Sequence, residues 1–291
     1  MVTGRFERWL PRLVLAPSFL LSLVFIYGFI GWNATLSFTS SRLMPRYQWA
    51  GWAQYRALFD SERWWLAARN LGLFALLFVG AALIIGLLIA IFLDQRIRAE
   101  GALRTIYLYP MALSFIVTGT AWKWMLNPGL GLEHVMQSLG WTSFHFDWLV
   151  NENKALYTIV LAAVWQSSGF AMALFLAGLR GIDESIIRAA MIDGASLPRI
   201  YWKIVIPSLR PVLFSTLIIL SHIAIKCFDL VVALTGGGPG FATDVPATFM
   251  YTMAFTRGQI GLGAASATMM LATVAALVVP YLYSELRRPT Q

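Results

Sequence analysis

The chain has 291 residues, 58% of them hydrophobic and only 12% charged, with a mean hydropathy of +0.68. Several apolar runs exceed ~20 residues, the length that matches the hydrocarbon core of a bilayer, which excludes an ordinary soluble domain. The formal charge of +8 sits mostly on basic residues beside apolar runs, a distribution that fixes membrane orientation and excludes a nucleic-acid surface. One cysteine (Cys227) and three scattered histidines (His134, His145, His222) exclude a disulfide framework and offer no metal cluster.

Six membrane spans are predicted in chain order, over residues 13–36, 70–93, 103–126, 155–179, 212–234 and 261–283. The first follows Arg5, Arg8 and Arg12 as a secretory signal would, but its apolar stretch is too long for a cleavable one and reads as an uncleaved anchor. Pro110 predicts a kink in the third span and Pro280 the end of the sixth. Trp32, Trp122, Trp124, Trp165, Tyr281 and Tyr283 fall near span ends, where amphipathic rings prefer to sit.

Orientation follows from the short loops. With the N-terminus inside, thirteen of the 22 basic residues are cytoplasmic: Arg5, Arg8, Arg12, Arg96, Arg98, Arg104, Arg180, Arg188, Arg199, Lys203, Arg210, Arg287 and Arg288. Both termini are then cytoplasmic. Arg42, Arg46, Arg56, Arg63, Arg69, Lys154 and Arg257 fall outside, so the first external loop works against the bias.

The connection between spans four and five, residues 180–211, is far longer than a turn requires. Ile186, Ile187, Ala190 and Met191 form an apolar stripe on a first short helix, and Asp193-Gly194 supplies a turn. Pro198 suits the first turn of a second helix carrying Ile200, Ile204 and Val205, which Pro207 is expected to stop. Composition alone allows an amphipathic hairpin lying in the headgroups.

The offsets say more. Ala189-Ala190, three residues, Gly194, nine residues, Ile204, one residue, Ile206-Pro207 resembles the cytoplasmic coupling motif of ABC importer permeases. Arg188 stands where that family usually has Glu, and Ile206 where it has Leu. The Arg puts in doubt any salt bridge made by the usual Glu, but leaves the helix-glycine-helix geometry intact. "LAGLRGIDESIIRAAMIDGAS", "WKWMLNPGLGL" and "FDLVVALTGGGPGFATD" resemble the larger-partner carbohydrate permeases, the maltose and glycerol-phosphate class. "YLYPMALSFIVTGTAWKWMLNPG" and "HIAIKCFDLV" are most similar, within that class, to proteobacterial glucose-type permeases.

The resemblance implies an all-α ABC type I importer permease fold: one transmembrane domain over residues 1–291, six helices, and a coupling helix between spans four and five. It implies that Arg188, Ala189, Ala190, Asp193, Gly194, Ala195, Ser196, Ile204 and Pro207 dock on a cytoplasmic ATPase. It further implies a bacterial cytoplasmic (inner) membrane location, a second permease subunit, two ATPase subunits that use ATP and Mg, an external sugar-binding protein and surrounding lipid. The chain itself is expected to bind no cofactor and to be no enzyme. It has no Gly-Lys dipeptide, hence no Walker-type phosphate loop, and the 236–240 run "GGGPG" lacks the lysine such a loop needs.

A sugar brings many hydroxyls that must be satisfied inside the bundle. Thr118, Trp122, Gln166, Ser167, His222, Lys226 and Asp229 are the candidate path residues. His222, Lys226 and Asp229 are read as sharing one helical face, with Lys226 and Asp229 paired. Each also has an ordinary structural role: Ser and Thr bond their own helix, small polar residues hold helices together, and a charged pair neutralises itself. The substrate expectation is glucose or a related monosaccharide, with a disaccharide or polyol as the alternative. An ion-coupled secondary transporter would need carboxylates on several spans and a repeated half, and only Asp229 lies deep. An intramembrane enzyme lacks paired carboxylates or a Ser-His-Asp set.

Overall fold

The structure is a computed structural model that describes residues 3–95 and 97–286. Arg96, Arg287 and Arg288, three of the residues on which the expected orientation rests, lie outside the described residues, as do the side chains of Arg5, Arg8 and Tyr281. Among the described residues the fold is all-helical, with two isolated β-bridges (Thr39 with Trp49, Arg42 with Met44) and no strand. Four helices are long and apolar enough to cross a membrane, and six spans result if each of two bent helix pairs is one span.

The Cα packing divides the chain into two compact units, Met1–Glu62 with Phe249–Ala272, and Arg63–Thr248 with Thr273–Gln291. In the first unit, α1 (Thr3–Ser22) runs through a π-helical turn (Leu23–Gly28) into α2 (Phe29–Ser37). From Val14 to Thr35 no described residue is buried, as expected of a span that faces lipid or a partner, and only Leu36 and Ser37 at its end are. Phe38 then gathers Trp49, Trp52 and Tyr55 into a ring cluster at centroid distances of 5.1–5.4 Å, and α3 (Ala53–Phe59) follows.

In the second unit, α4 (Glu62–Asp94) crosses with Phe74 and Phe78 stacked at 5.4 Å and buried. The third span does not form the continuous helix expected over 103–126. It is α5 (Glu100–Leu108), a 3-10 turn (Tyr109–Ala112) and α6 (Phe115–Met125), bent by 99°. Pro110 cannot donate to the helix ladder, and Leu113 and Ser114 are extended, so the bend is far sharper than a kink. A short helix α7 (Leu132–Ser138) leads to α8 (Ala155–Arg180), the centre of the unit, with 67% of its apolar window buried. It packs against α5, α6 and the two helices of the fifth span, Arg210–Ile225 and Asp229–Leu234.

The connection over 180–211 folds as α9 (Glu184–Ile192), α10 (Leu197–Ile200), a π turn (Tyr201–Val205) and α11 (Ile206–Ser208). The fifth span is α12 (Arg210–Ile225) followed, after a break at 226–228, by α13 (Asp229–Leu234). At ~1.5 Å per residue the 16 residues of α12 rise only ~24 Å, short of the ~30 Å core, so the single helix expected over 212–234 is replaced by two pieces. Helix α14 (Pro246–Tyr251), a π turn (Thr252–Thr256) and α15 (Ile260–Leu286) complete the chain; Pro280 lies inside α15 and does not end it.

Candidate functional site

The segment after α8 begins with an ion pair, Arg180 to Glu100 at 2.5 Å. Asp183 then caps α9, its carboxylate accepting from the Ser185 N–H at 2.8 Å. That bond, followed by the Ser185 side chain and the charge of Arg188, holds the Asp183 carboxyl below its ordinary range. Helix α9 ends in a Schellman closure: Gly194 N–H to Met191 O and Ala195 N–H to Ala190 O, both 3.0 Å. Closure requires the left-handed backbone that Gly194 supplies at φ +78°, and the space around its missing Cβ is open to 4 Å.

Ser196 leads into α10, where Pro198 occupies the first turn as expected. Pro207, expected to stop this helix, lies inside α11, and the chain turns by 64° after Ser208 instead. Pro207 has no N–H for the carbonyl four residues back, and the π register at Tyr201–Val205, with Ile206 N–H bonded to Tyr201 O, lies directly ahead of it. Ile200 and Val205 are buried and Ile204 is half-buried.

The expected stripe on α9 is only half inward: Ile187 and Ala190 are half-buried, whereas Ile186 and Met191 are exposed. With Ile192 (86% exposed), Leu197 and Trp202 (75%) they leave a large apolar surface on an otherwise polar segment. Arg188 bonds Glu184 one turn back at 2.5 Å, so the cation that replaces the usual Glu is neutralised on its own helix. A cavity of about 630 Å³ lies behind this segment, walled by Asp94, Arg180, Glu184, Ile187, Met191 and Tyr201 among others.

The seven path candidates separate into two groups. Gln166 on α8 is buried and donates from Nε2 to Leu113 O at 2.7 Å, satisfying a carbonyl that the break in span three leaves without a helical partner. Its Oε1 and the Oγ1 of fully buried Thr118, on α6, have no hydrogen-bond partner among the described residues. Ser167 is buried beside it, and Trp122 meets Trp165 edge to face at 5.9 Å. Gly169 permits the approach of α5, because a Cβ there would fall 1.9 Å from Tyr107 O.

His222, Lys226 and Asp229 are all exposed and share no helical face, which corrects the sequence reading. Helix α12 ends at Ile225 with Lys226 as its cap, and Asp229 opens α13. A lysine at the end of one helix and an aspartate at the start of the next each meet a favourable helix dipole, so the same charges that suggested a pair favour the break. No Lys226–Asp229 ion pair occurs among the described residues.

One constellation escaped the sequence reading. Asp244 is 1% exposed; it takes Arg63 Nε at 2.6 Å and Thr248 Oγ1 at 2.5 Å. Asn70 donates to the carbonyls of Ala242 and Asp244 at 3.1 and 2.9 Å, and the Arg63 guanidinium lies 4.2 Å from the centre of the Phe241 ring. Together they fasten the glycine-rich loop after α13 to the start of α4. The visible signal was an Arg and an Asn, seven residues apart, at the start of an apolar run.

The profile of a family described as binding-protein-dependent transport system inner membrane component matches residues 82–288. A Pyrococcus horikoshii protein described as a probable ABC transporter permease is 41% identical over 93% of this chain and 94% of its own. A xylose/arabinose import permease of Haloferax volcanii is 37% identical over 93% and 86%. An sn-glycerol-3-phosphate transport system permease of Rhizobium meliloti is 31% identical over 92% of each. Among solved structures, a chain of a bacterial ABC transporter involved in the import of the acidic polysaccharide alginate superposes with a TM-score of 0.81, covering 99% of both chains at 20% identity.

Proposed function

The chain belongs to the family of binding-protein-dependent transport system inner membrane components, and we propose that it is one of the two permease subunits of an ATP-binding-cassette sugar importer. The carrying observation is the segment over 180–211. A helix, a left-handed glycine and a second helix hold Ile186, Met191, Ile192, Leu197 and Trp202 out in the open, a surface that a docked ATPase would cover. In this reading Arg188, Ala189, Ala190, Asp193, Gly194, Ala195, Ser196, Ile204 and Pro207 form or position that contact. The N-terminus is cytoplasmic, and the chain lies in the inner membrane.

ATP and Mg then act on the partner ATPase pair, whose closure moves the coupling segment and opens the spans toward an external binding protein. The solute passes chemically unchanged, as it does through the transport permeases of this family. The breaks in spans three and five support a path between helix pieces, because irregular backbone at membrane depth is tolerated where protein or a cavity covers it. Thr118 Oγ1 and Gln166 Oε1, buried and without a hydrogen-bond partner among the described residues, are the polar groups best placed to take sugar hydroxyls.

For the solute we favour a monosaccharide. The pentose import permease at 37% identity supports that class, and glucose is the member suggested by the motifs in spans three and five. The experiment is uptake by vesicles holding the intact transporter, with and without internal ATP. ATP-dependent uptake is expected, and Ile192→Asp should abolish it and release the ATPase during purification. Uptake driven by an ion gradient without ATP would overturn the reading. Titrating the binding protein with pentoses, hexoses, disaccharides and polyols identifies the solute.

A further inference from the structure

Residues 29–59 and 249–272 lie in one compact unit and contain four arginines (Arg42, Arg46, Arg56, Arg257) and no acidic residue, Asp60 and Glu62 following just after the end of α3. Arg42, Arg46 and Arg257 are exposed, and none has an ion-pair partner among the described residues. The backbone brings them together: Leu43 N–H bonds Gly258 O at 2.7 Å, so the neighbours Arg42 and Arg257 flank one junction. Both bonded residues are left-handed, Leu43 at φ +52° and Gly258 at +63°. That backbone is unfavourable for a leucine and persists only where the surroundings hold it.

Beside the junction is a cavity of about 420 Å³, walled by Trp32, Leu36, Leu43, Met250, Phe255 and Ala264 among others. Asn33, which also lines it, spends its amide on Ala264 O and Thr268 Oγ1, leaving a largely apolar interior. The first span runs to Ser37, a few residues before Arg42, which puts the junction at the bilayer surface. Tyr47, Trp49 and Trp52 are exposed beside it, the ring types that settle at headgroup depth, and Tyr47 Oη accepts from Trp32 Nε1 at 3.2 Å.

We propose that this is a binding site for an anionic phospholipid, its phosphate held by Arg42, Arg46 and Arg257 and one acyl chain in the apolar cavity. Exposed guanidinium groups with no ion-pair partner among the described residues match a phosphodiester, which arginine can grip with two parallel bonds. A cavity of this size lies within the range of small-ligand sites. The site also accounts for basic residues on the face that the charge bias leaves poor in them. The proposal rests on the topology above only for the choice of the outer leaflet.

The test is native mass spectrometry of the intact transporter, offered phosphatidylglycerol or phosphatidylcholine of the same chain lengths. At about fivefold per arginine near a membrane surface, the wild type should prefer phosphatidylglycerol by tenfold or more. R42Q/R46Q/R257Q should erase the preference, and R42K/R46K/R257K should keep most of it. Met250→Trp, which fills the cavity with the arginines in place, should weaken both lipids alike. An unchanged preference in the glutamine variant would overturn the headgroup assignment, and unchanged retention in Met250→Trp would overturn the cavity's part. If the glutamine variant keeps its lipid but loses affinity for the binding protein, the patch is a docking face for an acidic protein and the proposal fails.

Discussion

Gln166 and Leu113 are 53 residues apart, and the amide of one closes the broken backbone of the other at 2.7 Å. The third span can bend by 99° inside an apolar bundle because a side chain of α8 supplies the missing donor. Gln166→Leu should therefore fold less stably, by about 1–3 kcal/mol for an unsatisfied buried carbonyl. Thermal unfolding of the purified complex reads this. Full stability with lost uptake would instead assign Gln166 to the solute.

The sequence showed the membrane class, six apolar segments and the helix-glycine-helix between spans four and five, because these depend on local quantities: run length, periodicity and the conformational freedom of Gly194. It did not show that spans three and five are each two pieces. Pro110 announced only a kink, and the bend is completed by Gln166 and by the room at Gly169, which are tertiary facts. The Asp244 network failed for the same reason, since Arg63 and Asn70 meet their partners more than 170 residues away.

The break at 226–228 changes what charge removal should do. With Lys226 and Asp229 exposed and forming no ion pair among the described residues, Lys226→Met and Asp229→Leu should each have a modest effect on folded yield. Their combination should equal the sum within about 0.5 kcal/mol. A double variant that recovers what the singles lose would show that a pair forms in the assembled transporter.

Arg188→Glu would restore the residue common in the family, at the cost of the bond to Glu184. It places Glu at positions 184 and 188, a like-charge i,i+4 pair that costs about 0.2–0.5 kcal/mol. Uptake should stay within a few-fold of wild type, and complete loss would show an acidic partner on the ATPase matched to Arg188. The Asp183 carboxyl is lowered in the fold, so its contribution to α9 is present above its unfolded value near 3.8 and disappears as pH falls through the lower folded value. The coupling helix should be indifferent to pH between about 5 and 8 on this account, checked by ATPase copurification across that range.

Gly194→Ala and Gly194→Gln separate strain from obstruction. Each puts a Cβ on a residue at φ +78°, costing about 1–2 kcal/mol, and neither meets another atom of this chain at the Cβ. Both should insert and accumulate alike. Only the longer side chain should block an approaching ATPase, so uptake should survive in part for Gly194→Ala and vanish for Gly194→Gln. Equal loss in both would mean that the Schellman closure itself, rather than clearance, is what transport requires.

Asp244 and Arg63 form the most buried ion pair among the described residues, with side-chain exposures of 2% and 15%. Removing one partner of such a pair strands the other charge and costs about 3–5 kcal/mol, whereas replacing both is far milder. Arg63→Met should take the guanidinium from the Asp244 carboxylate while the Thr248 hydroxyl stays on it, and Asp244→Leu should take the carboxylate from Arg63 while the Phe241 ring stays beside it. Each single variant should lose folded yield and expose the loop over 235–243 to protease. Arg63→Met with Asp244→Leu should recover much of the yield but not the loop's protection, because the loop loses both the Arg63 and the Thr248 bonds to the carboxylate and keeps only the Asn70 bonds to its backbone carbonyls. Protection of the loop equal to wild type in the double variant would show that Asn70 and the Thr235–Thr243 hydroxyl bond at 2.8 Å suffice to hold it.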